Sequence, residues 1–139
     1  MIQHSISLRV RYAETDAMNF VYYGNYATYF EVARVELMRK LGLSYRAIEE
    51  MGVWMPVIDY HIQYFKPAQY DDEVMITIKV DTMPSAKMIF HYESFVDGVC
   101  INRAETTLVF VDAQSKKPQR CPSILLDKII AHWSINPQL

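Results

Sequence analysis

A chain of 139 residues with a formal charge of −2 and 51% hydrophobic residues is the size of one domain and has enough apolar side chains to bury a core, so one domain over residues 1–139 is expected. Lys and Arg are scattered singly, which argues against a nucleic-acid partner, and neither a leader segment nor a run of about eighteen apolar residues suggests membrane insertion. The two cysteines, Cys100 and Cys121, lie far apart with no metal-ligand spacing and read as reduced thiols of a cytoplasmic protein.

Taken along the chain, residues Gln3 to Val10 roughly alternate polar and apolar, the period of a half-buried strand that ends near Tyr12. From Asn25, the residues Tyr26, Tyr29, Phe30, Ala33, Leu37 and Leu41 recur at helical spacing and Gly42 is placed to terminate, which predicts one long amphipathic helix. Thr28, Glu31, Arg34 and Arg39 are expected on its other sides, with Glu31 and Arg34 forming an i,i+3 ion pair. Ser44 offers an N-cap for a short second helix, YRAIEEMG.

The remainder reads mostly as strand. VWMPVIDYHIQYF carries Pro56, a mark of an edge or bulge, and closes at Lys66-Pro67. In EVMITIKVDTM, Val74, Ile76, Ile78 and Val80 point one way, opposite Met75, Thr77, Lys79 and Asp81. Two further strands, Lys87 to Val96 and Val99 to Asp112, are joined by Asp97-Gly98, a dipeptide suited to a tight hairpin. His61 and His91 alternate with apolar strand residues and read as sheet-surface groups. DAQSKKPQRCP is turn-rich, and PSILLDKIIAHW reads as a closing helix with Pro122 near its first turn. One long helix followed by antiparallel strands is an α+β pattern.

The stretch YAETDAMNFVYYGNYATYFEVAR is similar to the signature of hotdog-fold acyl-CoA thioesterases of the 4-hydroxybenzoyl-CoA thioesterase type: an aspartate, a short loop, an aromatic pair, Asn-Tyr and the central helix. Softer matches continue in YFKPAQYDDEV, SAKMIFHYE and TLVFVD, so the resemblance covers nearly the whole chain. It implies a five-stranded antiparallel sheet wrapped around one long helix. It also implies protomers paired as a homodimer or homotetramer, with active sites at subunit interfaces, and acyl-CoA as substrate with no metal or other cofactor.

Thioester hydrolysis needs a group that attacks the carbonyl or activates water, and donors that hold the charge developing on its oxygen. By resemblance Asp16 is the catalytic carboxylate, as nucleophile or as general base; from the residues alone it reads as an Asx turn. Tyr23, Gly24 and Asn25 begin the helix seven to nine residues later, where unpaired N–H groups can form the oxyanion site. The resemblance places the main donor at the Tyr23 N–H, and Gly24 suits close backbone approach. Many relatives carry histidine at Tyr23 and glycine at Asn19 and Phe20. The depth of the acyl pocket would depend on Met18, Phe20, Tyr22, Trp54 and Met55, with Asn25 also near substrate. Ser85, Lys87, Lys117 and Arg120 match regions where relatives contact the nucleotide of CoA. Two other readings remain: a hotdog protein that only binds acyl-CoA or acyl carrier protein, and a dehydratase, which would want a histidine that the loop and helix start lack.

Overall fold

A computed structural model describes residues 1–133. Its elements are β1 (Ile2–Arg9), a 3₁₀ turn (Tyr12–Glu14), α1 (Asn25–Leu41), α2 (Tyr45–Glu50), β2 (Val53–Trp54), β3 (Val57–Tyr64), β4 (Glu73–Val80), β5 (Lys87–Val96), β6 (Val99–Asp112), β7 (Pro118–Gln119) and α3 (Ser123–His132). The alternation seen in the sequence becomes the two faces of β4: Val74, Ile76, Ile78 and Val80 are fully buried, while Glu73 and Met75 are exposed. Asp97 and Gly98 both take positive φ, 49° and 77°, the backbone of a two-residue hairpin joining β5 to β6.

All pairings are antiparallel, and the five long strands lie in the order β1, β4, β5, β6, β3. Two short strands extend this expected sheet. Because Pro56 has no N–H, the run from Val53 divides into β2 and β3, with a register shift between Val57 and Asp59. Within the turn-rich tail, Pro118 and Gln119 pair with Val111 and Phe110 as β7, continuing the line of β5 beyond its first residue.

Helix α1 lies across one face of this sheet. It buries Tyr26, Tyr29, Phe30, Ala33, Leu37, Met38 and Leu41, and stops where Gly42 takes φ 86°. Ser44 caps α2 through its Oγ, which accepts from Ala47 N–H at 3.1 Å. Phe30 is the centre of the packing, fully buried and stacked on Tyr92 with ring centroids 4.4 Å apart.

Arg34 departs from expectation. It does not pair with Glu31; it is only 9% exposed, and its guanidinium donates to the Tyr92 hydroxyl at 3.0 Å. Position 34 falls one turn after Phe30 and one turn before Leu37, inside the buried stripe, so the side chain is carried under the helix rather than across its surface. The histidines behave as anticipated: His61 is exposed, and His91 stands on the outer sheet face between Asp81 at 3.4 Å and Glu105 at 3.3 Å.

Because Phe30 packs against rings from two strands, Phe30→Ala should lower unfolding free energy by about 3–5 kcal/mol. Urea denaturation at fixed protein concentration measures this, and a loss under ~1 kcal/mol would mean that this contact is not central to the core.

Candidate active site

The site begins in a loop that the chain folds back on itself. Asp16 N–H donates to Phe20 carbonyl at 2.8 Å, and Asn19 N–H to Asp16 carbonyl at 3.0 Å. Closing so tight a turn requires φ 65° at Asn19, a conformation asparagine tolerates better than most residues. The Asp16 carboxylate joins in, with Oδ1 accepting from Met18 N–H at 2.9 Å and from Phe20 N–H at 3.3 Å. Asp16 is therefore an Asx-turn residue, and it is also half-buried in the wall of a cavity.

A second set of bonds fixes this loop to the start of α1, and Glu14 makes most of them. Its carbonyl accepts from Tyr22 N–H at 2.9 Å and from Asn25 Nδ2 at 2.8 Å. Its Oε1 accepts from Arg11 N–H at 2.7 Å and from the Tyr29 hydroxyl at 3.0 Å, while Oε2 takes the Arg11 guanidinium at 3.2 Å. Burial opposes ionisation of this carboxyl, but those hydrogen bonds and the Arg11 charge outweigh it and hold the pKa below the usual glutamate value. Burial and the Glu14 carboxylate push the Tyr29 phenol well up, so it serves as a donor. On the other flank Val21 N–H donates to Ala68 carbonyl at 2.8 Å, and Ala68 N–H to the Tyr26 hydroxyl at 3.3 Å.

Helix α1 then starts with a tight turn, Asn25 N–H donating to Tyr22 carbonyl at 2.8 Å. Among the described residues no acceptor is paired with the N–H of Tyr23 or of Gly24. Gly24 has φ −65°, and a Cβ there would meet only the Tyr22 ring, at 3.9 Å. Neither backbone conformation nor crowding within the chain requires glycine at that position. Tyr23 is 67% exposed, its ring edge-on to Tyr22 at 4.7 Å.

Asp16, Phe20 and Tyr23 line one cavity of about 300 Å³, together with Met18, Val21, Tyr26, Tyr64, Phe65, Lys66 and Pro67. Its walls are largely aromatic, with the Asp16 carboxylate and the Lys66 ammonium as its charges. Tyr22, Gly24 and Asn25 border the loop without lining the cavity, and the Asn25 side chain is spent on the Glu14 carbonyl. Trp54 lies instead under Lys116, whose Nζ is 3.7 Å from its ring, and Met55 lines a separate cavity. Ser85, Lys87, Lys117 and Arg120 are exposed at the end of the sheet formed by β5 and β7. There Cys121 N–H donates to Ser85 carbonyl at 2.7 Å, so the turn before β5 and the segment after β7 touch. None of the four lines the Asp16 cavity.

Sequence reasoning did not place Tyr64, Phe65 or Lys66 in the site. The match of YFKPAQYDDEV to relatives was the available signal. Strand period could not supply it, because the residues meet Asp16 through tertiary contacts, the pairing of Phe20 with Gln69 and the bonds of Ala68 to Val21 and Tyr26.

A family model described as the thioesterase-like superfamily matches residues 10–129. YneP of Bacillus subtilis, provisionally named an acyl-CoA thioesterase, is 35% identical over 112 residues, covering 80% of this chain and 81% of the relative. The acyl-CoA thioester hydrolase YbgC of Escherichia coli is 29% identical over 120 residues, covering 86% of this chain and 90% of YbgC. Among solved structures, a DHNA-CoA thioesterase from Staphylococcus aureus matches with a TM-score of 0.87 and 33% identity, over 94% of this chain and 93% of that one. These matches support the superfamily and not the narrower 4-hydroxybenzoyl-CoA type.

The Glu14 bonds make a pH prediction. A carboxyl whose folded pKa is depressed stabilises the fold above its unfolded value, near 4.3, and that stability disappears as pH falls through the lower folded value. Glu14→Gln should therefore cost about 1–3 kcal/mol at pH 7 and flatten the loss of stability below about pH 4.3. Melting temperature measured from pH 7 to pH 3 tests this; a variant with the parent's full acid dependence would assign that dependence to other carboxylates.

Proposed function

The chain belongs to the thioesterase-like superfamily of hotdog-fold proteins, and on that premise we propose that it hydrolyses acyl-CoA thioesters to free acid and CoA. The observation that carries the proposal is the joint placement of the Asp16 carboxylate and the start of α1 around one cavity. A thioester carbonyl set between them would have a carboxylate on one side and the N–H groups of Tyr23 and Gly24 on the other. Those N–H groups sit at the positive end of the helix dipole, where they can hold the oxyanion of the tetrahedral species without reorganising.

Two routes use the same geometry. As nucleophile, Asp16 attacks the carbonyl and expels the CoA thiolate, leaving an acyl–carboxylate anhydride that water then cleaves. As general base, Asp16 takes a proton from the attacking water, and the C–S bond breaks as the tetrahedral species collapses. Both consume one water and release the acid and CoA. The cavity's aromatic walls, Phe20, Tyr23, Tyr26, Tyr64 and Phe65, favour an aryl acyl group, in keeping with the aryl-CoA type that the opening motif resembles. Ser85, Lys87, Lys117 and Arg120 are proposed to contact the phosphates of CoA from a neighbouring protomer, since they stand apart from the cavity.

That arrangement needs an oligomer. The outer edge of β3 is unpaired among the described residues and carries exposed Val57 and Ile58, followed by Tyr64 and Phe65. An apolar edge of this kind is ordinarily covered, and a second copy of the same edge is the proposed cover. Sedimentation at micromolar concentration should show a dimer or tetramer; a stable, active monomer would contradict the assembly. No described helix is long and apolar enough to cross a membrane.

The catalytic assignment is tested by Asp16→Asn. The amide keeps an Oδ1 that can accept from Met18 and Phe20, so the loop and the melting temperature should be preserved while kcat falls by a factor on the order of 10² or more. Tyr23→Phe should retain most activity, because the proposed donor is the backbone N–H. Turnover by Asp16→Asn within about threefold of the parent would remove Asp16 from the mechanism.

A further inference from the structure

A second cavity, of about 230 Å³, opens between α1, α2 and the sheet. It is lined by Glu31, Arg34, Val35, Tyr45, Ile48, Glu49, Val53, Met55 and Leu108, and shares no residue with the Asp16 cavity. Its apolar walls would be unremarkable without Arg34. The Arg34 residue is nine-tenths buried, yet among the described residues no carboxylate stands within ion-pair distance of its guanidinium, which donates to a neutral phenol, Tyr92, at 3.0 Å. Tyr92 is itself satisfied by Thr106, 2.7 Å away.

Two more phenols surround the same charge. The Tyr45 hydroxyl is buried beside the Arg34 guanidinium, close enough for its oxygen to accept from that group, and its own proton has no acceptor among the described residues. The Tyr60 hydroxyl is likewise buried, unpaired and within the field of Arg34. Burial pushes both phenols up to about 12, so each keeps its proton and is available as a donor. A buried cation without an anion costs several kcal/mol, and a buried hydroxyl whose proton finds no acceptor adds about 1–3 kcal/mol. Folding alone gives no reason to set Arg34 and Tyr45 in the wall of a cavity, with Tyr60 within the field of the same charge.

We infer that this cavity is a binding site for a small monocarboxylate with an apolar tail. The carboxylate meets Arg34 and the Tyr45 hydroxyl, and the tail lies against Val35, Ile48, Val53, Met55 and Leu108. Charge-assisted hydrogen bonds to a guanidinium are the strongest such a ligand can find in a dry site. Glu31 and Glu49, exposed at the mouth, set the upper limit on charge: they oppose entry of a phosphate dianion far more than of a single carboxylate. The site does not depend on the proposed hydrolysis and requires no turnover for its detection.

Isothermal titration of hexanoate and of benzoate into the full-length protein, with inorganic phosphate as competitor, tests the inference. Saturable one-to-one binding of at least one acid is expected, with phosphate failing to compete. Affinity should fall about tenfold or more in Arg34→Met and about fivefold in Tyr45→Phe, and should be unchanged in Lys66→Met, which removes the cation of the other cavity. Tyr45→Phe keeps the ring and removes only the hydroxyl, so it should fold as the parent and decides the matter if Arg34→Met does not fold. No saturable binding, equal affinity in Tyr45→Phe and the parent, effective competition by phosphate, or loss of binding in Lys66→Met would each overturn the assignment.

Discussion

Glu14 ties together the parts on which everything else at the cavity depends. A helix N-terminus and a carboxylate on a preceding loop are common features, and by themselves they have no fixed relation. Here one residue accepts from Tyr22 and Asn25 through its carbonyl and from Arg11 and Tyr29 through its carboxylate. The loop after β1 is thereby bonded to the first two turns of α1 at several points. Because Tyr29 is buried and α1 is packed on the sheet, the rigidity of the core is passed to the loop that carries Asp16.

The catalytic role proposed for Asp16 is compatible with the structural one it has in the loop. Its Oδ1 caps the turn, accepting from Met18 and Phe20, which orients the carboxylate. The observed Asx turn therefore does not exclude the proposed catalytic use of the same carboxylate. Preorganisation of this sort is what acid–base and nucleophilic chemistry requires, since a carboxylate free to rotate would lose much of the advantage of proximity.

Much of the fold was legible in the sequence because local signals carry it. The period of Tyr26, Phe30, Ala33 and Leu37, the stop at Gly42, the cap at Ser44 and the Asp97-Gly98 turn each act over a few residues, and the structure follows them. What was not legible depends on tertiary contact. Arg34 reads as a surface charge until the stripe of α1 is placed on the sheet, when its partner becomes Tyr92 on β5. Lys66, Tyr64 and Phe65 enter the cavity wall because the segment after them is held to the Asp16 loop and α1 by Gln69 and Ala68. The short strand β7 has no period of its own and exists because β6 extends past the end of β5. Of the residues named from the motif, Asp16, Phe20 and Tyr23 line one cavity. Asn25, by contrast, proves to be committed to the Glu14 carbonyl.

On the proposed mechanism a thioester carbonyl is held between the Asp16 carboxylate and the N–H groups of Tyr23 and Gly24 at the start of α1. A crystal structure of Asp16→Asn with an intact acyl-CoA bound addresses it most directly. The carbonyl oxygen should then lie within about 2.7–3.1 Å of the Tyr23 or Gly24 nitrogen, with the substituted side chain against the opposite face of the same carbon. A carbonyl lodged elsewhere, with those nitrogens facing solvent or a side chain, would contradict it.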